Sequence, residues 1–111
     1  MKRKLLLSCL FAMGAHAGFS QTAFTAGSLS VLRVGDGSAT LGTSATAVFI
    51  DEYATSGTLI RSIALPTTVV GANRRLTLDG NTSSVSSSEG LLSLSQDGKK
   101  LTLAGFDAPT G

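Results

Sequence analysis

The sequence contains a single cysteine, Cys9, and a single histidine, His16, and both lie within its first 17 residues. The 94 residues after position 17 therefore form no disulfide and contain neither a thiolate metal site nor a cysteine nucleophile. Because they also lack histidine, they have no histidine-based catalytic triad, proton shuttle or metal site. Any hydrolytic activity of this part of the chain would depend on carboxylates or hydroxyls alone.

The first 17 residues have the pattern of a secretory signal peptide. A basic start at 2–4 is followed by an apolar stretch at 5–13 and by Ala-His-Ala at 15–17, which fits an A-x-A cleavage site. The sequence therefore predicts a signal peptide over 1–17, a mature chain that begins at Gly18, and a secreted or periplasmic location. The apolar stretch is shorter than the roughly 20 residues of a membrane span. The alternative to a cleaved signal peptide is a signal anchor that the protein retains.

Removal of the signal reverses the sign of the net charge. Three of the nine lysine and arginine residues lie in it, which leaves six against seven acidic residues and a net charge of −1. The sequence pI of about 9.0 thus describes the precursor. No basic excess for nucleic acid or an anionic lipid surface remains, so neither nucleic acid nor membrane is predicted as a partner of the mature chain.

Short apolar segments between glycine-rich turns predict an all-β chain of antiparallel strands. A flexible lead-in is expected over 18–27, and no later segment sustains a helical period. Strands are predicted at 28–34, 47–53 and 58–65, with shorter ones at 75–78 and 40–41. Tyr53, Gly57 and Leu59 have the spacing of a hairpin that joins the second and third strands.

The segment 91–105, LLSLSQDGKKLTLAG, predicts a second hairpin. Alternating leucines give each of its strands an apolar face. Asp97 and Gly98 supply the turn, because glycine adopts positive φ without strain and aspartate accepts hydrogen bonds from the neighbouring backbone.

From residue 23 onward the chain resembles a group of secreted bacterial β-propeller proteins. Six short motifs carry the resemblance, in this order: GSLSV at 27–31, FIDEY at 49–53, GTL at 57–59, SIALP at 62–66, EGLL at 89–92 and SQDG at 95–98. The resemblance implies that residues 28–111 form an incomplete β-propeller of about one to one and a half blades. This part would be the N-terminal portion of a larger propeller, with the remaining blades as partners.

The same resemblance implies a strand order and a function. Segments 29–34, 47–53 and 58–65 would be the second to fourth strands of a blade whose innermost strand comes from the far end of the chain, and 91–94 would open the next blade. The implied function is that of a secreted, non-catalytic module, or a truncated fragment, with an unidentified extracellular or periplasmic ligand and no cofactor. The alternative is the N-terminal fragment of a propeller hydrolase or lactonase-like enzyme, whose site would draw histidines and carboxylates from several blades.

Glu89 is the candidate ligand-facing residue. It follows a polar loop and opens a strand that the resemblance places near a propeller's central channel. Hydrogen bonding of Glu89 to nearby backbone amides is the alternative. No catalytic, cofactor-binding or metal-binding residue is predicted.

The other charged residues are expected to be structural. Asp51 and Glu52 are adjacent on a strand, so they point to opposite faces and cannot converge on one substrate. Arg74 and Arg75 are expected to protect a strand edge against association, an anion site being the alternative. Four aspartates in loops or beside glycines are expected to form turns, since no D-x-D-x-D-G calcium loop occurs: Asp36, Asp79, Asp97 and Asp107.

Overall fold

A computed structural model describes residues 22–81 and 90–111 of the chain. These residues form antiparallel strands in two sheets and contain no helix, which confirms the predicted all-β class. The strands are β1 (Leu29–Val34), β2 (Ala45–Tyr53), β3 (Leu59–Ala64), β4 (Thr77–Asp79), β5 (Ser93–Leu94) and β6 (Leu101–Thr102). The predicted signal peptide over 1–17, the first residues of the lead-in and Glu89 lie outside the described residues.

The larger sheet is built around β2. β1 pairs with Val48–Tyr53, β3 pairs with Phe49–Tyr53, and β4 pairs with the preceding residues, Ala45–Ala47. A turn in which Ala54 N donates to the Thr58 carbonyl joins β2 to β3, as the hairpin spacing predicts. β2 begins two residues before its predicted start because β4 supplies hydrogen-bonding partners there.

Two of the shorter predicted strands are wrong in position or existence. Residues 40–41 form no strand, although Leu41 packs close to Gly35 and Gly80. β4 begins at Thr77 rather than at residue 75. Leu76 N donates to the carbonyl of Pro66, which lies just after β3. The chain therefore pairs with β2 only from Thr77 onward.

The rest of the chain packs over one face of the larger sheet and leaves part of the other face exposed. On the covered face, Val48 of β2 and Leu78 of β4 are buried, with 0% and 2% of their surface exposed. The chain crosses this face at Gly90, where an added Cβ would lie 2.7 Å from Leu32 and 2.6 Å from Leu78. Gly90 also has a φ of +77°, so both the lack of room for a side chain and the backbone conformation at this position require glycine.

The opposite, open face carries the alternate residues of the same strands. Pairing register and strand alternation place Leu29, Val31 and Arg33 of β1 on it, together with Phe49, Asp51 and Tyr53 of β2. Leu29, Val31 and the neighbouring Leu59 of β3 are about half exposed. Apolar side chains at the rim of this face therefore meet solvent, whereas Val48 and Leu78 of the covered face do not.

The C-terminal segment returns to the sheet after the second hairpin. Thr77 and Phe106 exchange two backbone hydrogen bonds, and the Thr77 hydroxyl lies within hydrogen-bonding distance of the carbonyls of Phe106 and Ala108. β5 and β6 form the predicted hairpin, in which Leu94 pairs with Leu101. Among the described residues no helix is long and apolar enough to cross a membrane.

Candidate functional site

The most unusual feature of the sheet is a pair of buried carboxylates at adjacent positions of β2. Only 2% of Asp51 and 0% of Glu52 is exposed. Burial of an ionised carboxylate is costly unless it is paired and hydrogen-bonded. Because successive strand residues point to opposite faces, the two groups lie on different sides of the sheet and must be satisfied separately.

Glu52, on the covered face, is held by three residues from two segments, β3 and the residues before β1. Arg61 lies directly across from it on β3, and the Arg61 Nε donates to Glu52 Oε2 at 2.6 Å. The backbone N–H of Thr25 and the hydroxyl of Ser28 donate to Oε1. Arg61 also donates to the carbonyl of Ala23, so this cluster ties the described end of the lead-in to the sheet.

These hydrogen bonds outweigh the effect of burial on the ionisation of Glu52. Burial by itself would raise the pKa of a carboxyl group, but donation from Thr25, Ser28 and Arg61 lowers the pKa of Glu52 to about 2. Glu52 is therefore fully ionised near neutral pH and has no proton to donate. Its two oxygens are both engaged as acceptors, which suits a structural anchor and not a general acid or base.

Asp51 forms a matching cluster on the open face. The guanidinium of Arg33 on β1 donates through Nε to Asp51 Oδ2 at 2.7 Å and through Nη2 to Oδ1 at 3.3 Å, and the Ser62 hydroxyl on β3 also donates to Oδ1. Arg33 holds the pKa of Asp51 below its usual range in spite of burial, with a contribution from Ser62. Arg33 also stacks over the ring of Phe49 at 4.2 Å, a cation–π contact.

The two clusters together cross-link the three longest strands. Arg33 and Ser62 link β1 and β3 to β2 through Asp51, while Arg61 and Ser28 link β3 and the residues before β1 through Glu52. The prediction that Asp51 and Glu52 point to opposite faces is confirmed, and of the two predicted states, solvated or hydrogen-bonded, both carboxylates show the hydrogen-bonded one. The sequence analysis missed their arginine partners, since only the strand register places Arg61 opposite Glu52 and Arg33 diagonally from Asp51.

Three of the four loop aspartates form turns as predicted. Asp36 accepts from the N–H of Ser38, Asp79 from that of Asn81, and Asp97 from that of Lys99. No group of three or more histidine, cysteine, aspartate or glutamate side chains that could hold a metal occurs among residues 22–81 and 90–111.

The prediction that Asp107 forms a turn is wrong, whereas Arg74 and Arg75 lie just before β4 and their predicted protection of a strand edge stays a prediction. Asp107 pairs with both arginines, at 2.8 Å from Arg74 Nη2 and 2.8 Å from Arg75 Nε. Arg75 and Arg74 lower the pKa of Asp107. The three residues fasten the C-terminal segment to the chain before β4, a contact between residues 32 positions apart that local sequence cannot reveal.

A cleft lies between the described end of the lead-in and the second hairpin, and it is lined in part by Thr25 and Ser28, which donate to the buried Glu52. Its volume is about 440 Å³. One wall is formed by residues 24–30 and the other by Leu94 and residues 98–101. Phe24, Leu29, Leu94 and Leu101 give it an apolar lining, and Lys99 and Lys100 stand on the hairpin side.

Comparison of the chain with protein-family models, with curated proteins and with solved structures found no match. The sheet, the two ion-pair clusters and the cleft are therefore the features of this chain that bear on its function.

Proposed function

We propose that this chain is a non-catalytic β-sheet module that acts outside the cytoplasm, as the N-terminal portion of a β-propeller. The observation that carries the proposal is the open face of the larger sheet. Blades of a propeller are small antiparallel sheets that pack face to face around a central channel. A sheet with one face covered and exposed apolar side chains at one end of the other face fits a blade that further β-structure would cover.

The apolar residues of the open face support this proposal. Leu29 is 55% exposed, Val31 45% and Leu59 50%, and register and contact place all three at one end of the same face. The Arg33–Asp51–Ser62 cluster lies in the middle, where it is partly shielded by Phe49. Contiguous apolar surface with a polar centre is typical of a surface that packs against another protein element.

The non-catalytic part of the proposal is supported by the chemistry of the two buried carboxylates. General acid–base catalysis needs a group whose pKa lies near the working pH. The pKa values of Asp51 and Glu52 are both lowered, and their oxygens are occupied by arginine, hydroxyl and backbone donors. These side chains stabilise the sheet that presents the binding surfaces.

Cysteine labelling tests whether the open face is covered in the native protein. Cys9 is the single cysteine of the sequence, so Val31→Cys in a chain that also carries Cys9→Ser introduces a unique thiol on the open face. We expect it to react rapidly with a maleimide in the purified 111-residue chain and at least tenfold more slowly in the protein as its native host exports it. Equal rates in the two samples would reject the proposal of a covering sheet.

Ser56→Cys is the matched control, since Ser56 lies in the exposed turn between β2 and β3. It should react at the same rate in both samples.

Mass spectrometry of the exported protein also tests the predicted signal peptide, whose cleavage gives an N-terminus near Gly18. A protein that begins at Met1 would contradict cleavage.

A further inference from the structure

The outer edge of β3 presents backbone groups that no described strand uses. β3 pairs only with β2 among the described strands, and it ends the order β1-β2-β3. Leu65 N donates to the Val48 carbonyl, which fixes the hydrogen-bonding phase of the pair. Because inward and outward positions alternate in an antiparallel pair, the N–H and C=O groups of Ser62 and Ala64 point away from β2. Both residues are exposed, so a further strand can reach these groups.

The part of this edge that is free to pair is short and has defined ends. At one end Ile60 is the extra residue of a β-bulge, because β3 has one residue more than β2 between the pairs on either side. At the other end Pro66 has no N–H to donate, and its carbonyl already accepts from Leu76. Bulges and prolines both limit the pairing of an edge strand. The edge of β3 is therefore open for pairing over residues 61–65.

The charge of this segment favours an identical strand as its partner. Arg61 is the one charged residue of 61–65, and its Nε lies 2.6 Å from Oε2 of the buried Glu52, which compensates its charge. No lysine, the residue that most often keeps sheet edges apart, occurs in 61–65. An edge without uncompensated charge does not select an acidic or a basic peptide, and two copies of it can meet without repulsion.

The segment is also self-complementary about its middle residue, Ile63. When two copies lie antiparallel with a two-fold axis at Ile63, Ser62 of each copy is opposite Ala64 of the other. These are the residues whose backbone groups point outward, so each such pair exchanges two hydrogen bonds. The two Ile63 side chains then meet at the axis as a β-branched cross-strand pair, which stabilises an antiparallel sheet. Arg61 is opposite Leu65, so the two guanidinium groups stay apart.

We propose that two copies of this chain associate edge to edge through residues 61–65 of β3, related by a two-fold axis at Ile63. The proposal goes beyond the proposed function and is compatible with it. In the proposed blade β3 is the fourth strand, so its outer edge lies at the perimeter, away from the edge of β1 where the innermost strand would pair. Two such short segments bury less than the roughly 1,200–2,000 Å² of a standard interface, so the dimer is weak and depends on concentration.

Sedimentation velocity of the full chain over micromolar to millimolar concentrations tests the association. We expect a reversible equilibrium between monomer and dimer. Ala64→Lys places a lysine at an outward position of the β3 edge and should weaken the dimer at least tenfold, with an unchanged circular dichroism spectrum. Ser30→Lys is the matched control, because Ser30 is an exposed, outward position on the edge of β1. Its dissociation constant for the dimer should stay within twofold of the wild-type value.

Cysteine cross-linking tests the register in a chain that carries Cys9→Ser. Ile63→Cys places the thiols of the two copies opposite each other at the axis, where a mild oxidant should join them in a disulfide. Ala64→Cys is the matched control, since the two copies of residue 64 lie two positions apart along the paired strands. Their Cα atoms are then more than about 7 Å apart, which a disulfide does not span. On a non-reducing gel we expect at least tenfold more cross-linked dimer for Ile63→Cys than for Ala64→Cys.

Three results would overturn the proposal and leave the proposed function intact. The first is a chain that stays monomeric over the whole concentration range. The second is a dimer that Ser30→Lys weakens and Ala64→Lys does not, because its interface would then be the edge of β1. The third is equal cross-linking of the two cysteine variants, which indicates random collision. Protection of Val31→Cys reads the open face and not the β3 edge, so the two proposals can fail separately.

Discussion

The β2–β3 and β5–β6 hairpins of this protein have similar turns but different support. Each turn contains a glycine with positive φ, +86° at Gly57 and +68° at Gly98. β2 and β3 are cross-linked on both faces by buried carboxylates, through Glu52 and Arg61 on one face and through Asp51 and Ser62 on the other. Among the described residues, the hydrogen bonds of β5 and β6 lie within the two short strands and the turn that joins them. In that turn, Ser95, Asp97 and Lys100 form hydrogen bonds with one another or with their neighbours.

The difference separates two ways in which a sequence stabilises a hairpin. A turn with favourable residues is enough to define the path of β5–β6, although Leu94 stays mostly exposed. The larger sheet buries side chains from strands that are distant in sequence, so its stability depends on tertiary contacts. Loss of a side chain should therefore cost much more in the sheet than in the terminal hairpin.

Truncation of one leucine in each region gives the largest expected contrast. Leu78→Ala removes a side chain that is 2% exposed and should lower the free energy of unfolding by about 2–5 kcal/mol. Leu94→Ala, at a position that is 64% exposed, should change it by less than about 0.5 kcal/mol. Urea unfolding followed by circular dichroism measures both. Equal losses would show that the hairpin is part of the same core.

Acid should weaken the sheet through its two carboxylates. The pKa of Glu52 is about 2 in the folded protein against 4.5 for the ordinary group, so the stabilisation from Glu52 is complete above about pH 4.5 and is lost as the pH falls towards 2. Asp51 acts in the same direction, because its folded pKa is also lowered. The melting temperature should therefore be constant near neutral pH and fall steadily below about pH 4.5.

Glu52→Gln is the control for this pH dependence. It should melt at a lower temperature at pH 7, since a neutral amide cannot replace the ion pair with Arg61, and its melting temperature should fall less between about pH 4.5 and 2.5. A wild-type melting temperature that is unchanged over this range would contradict the assigned role of Glu52.

Alanine at the two turn glycines should have the smallest effect. An added Cβ has no neighbour within 4 Å at Gly57 or Gly98, so the cost is the backbone strain of a left-handed residue, about 1–2 kcal/mol. Gly57→Ala should lower the melting temperature of the whole sheet by a few degrees. Gly98→Ala should instead accelerate hydrogen exchange at the amides of Ser95 and Lys100, with little change in global melting. Identical global effects would remove the distinction between the two hairpins.

Local patterns were enough to predict most of the strands. Alternation and turn residues placed the three long strands to within about two residues at each end, and they predicted the β5–β6 hairpin with its Asp97-Gly98 turn. They also predicted that Asp51 and Glu52 lie on opposite faces, because this follows from strand geometry alone. The bounds of β4 were missed because they depend on hydrogen bonds to the Pro66 carbonyl and with the backbone of Phe106, which are distant in sequence.

The candidate site was less accessible to sequence reasoning. Glu89, the residue singled out for a ligand, lies outside the described residues. The cleft was not foreseen, since its two walls come from residues 24–30 and from Leu94 and 98–101. Exposed leucines and a pair of adjacent lysines line one cleft only because the hairpin lies beside residues 24–30.

The sequence alone determined the strand periodicity, the turn positions and the absence of cysteine and histidine after residue 17. These properties follow from the local preferences of the backbone and from composition, and they need no knowledge of long-range contacts. The tertiary structure decided which arginine neutralises which carboxylate, that Arg74 and Arg75 bind Asp107, and which edge and face of the sheet stay open. Ion pairing and burial depend on distances in space between residues that are far apart in the chain, and only the pairing register of the folded strands fixes those distances.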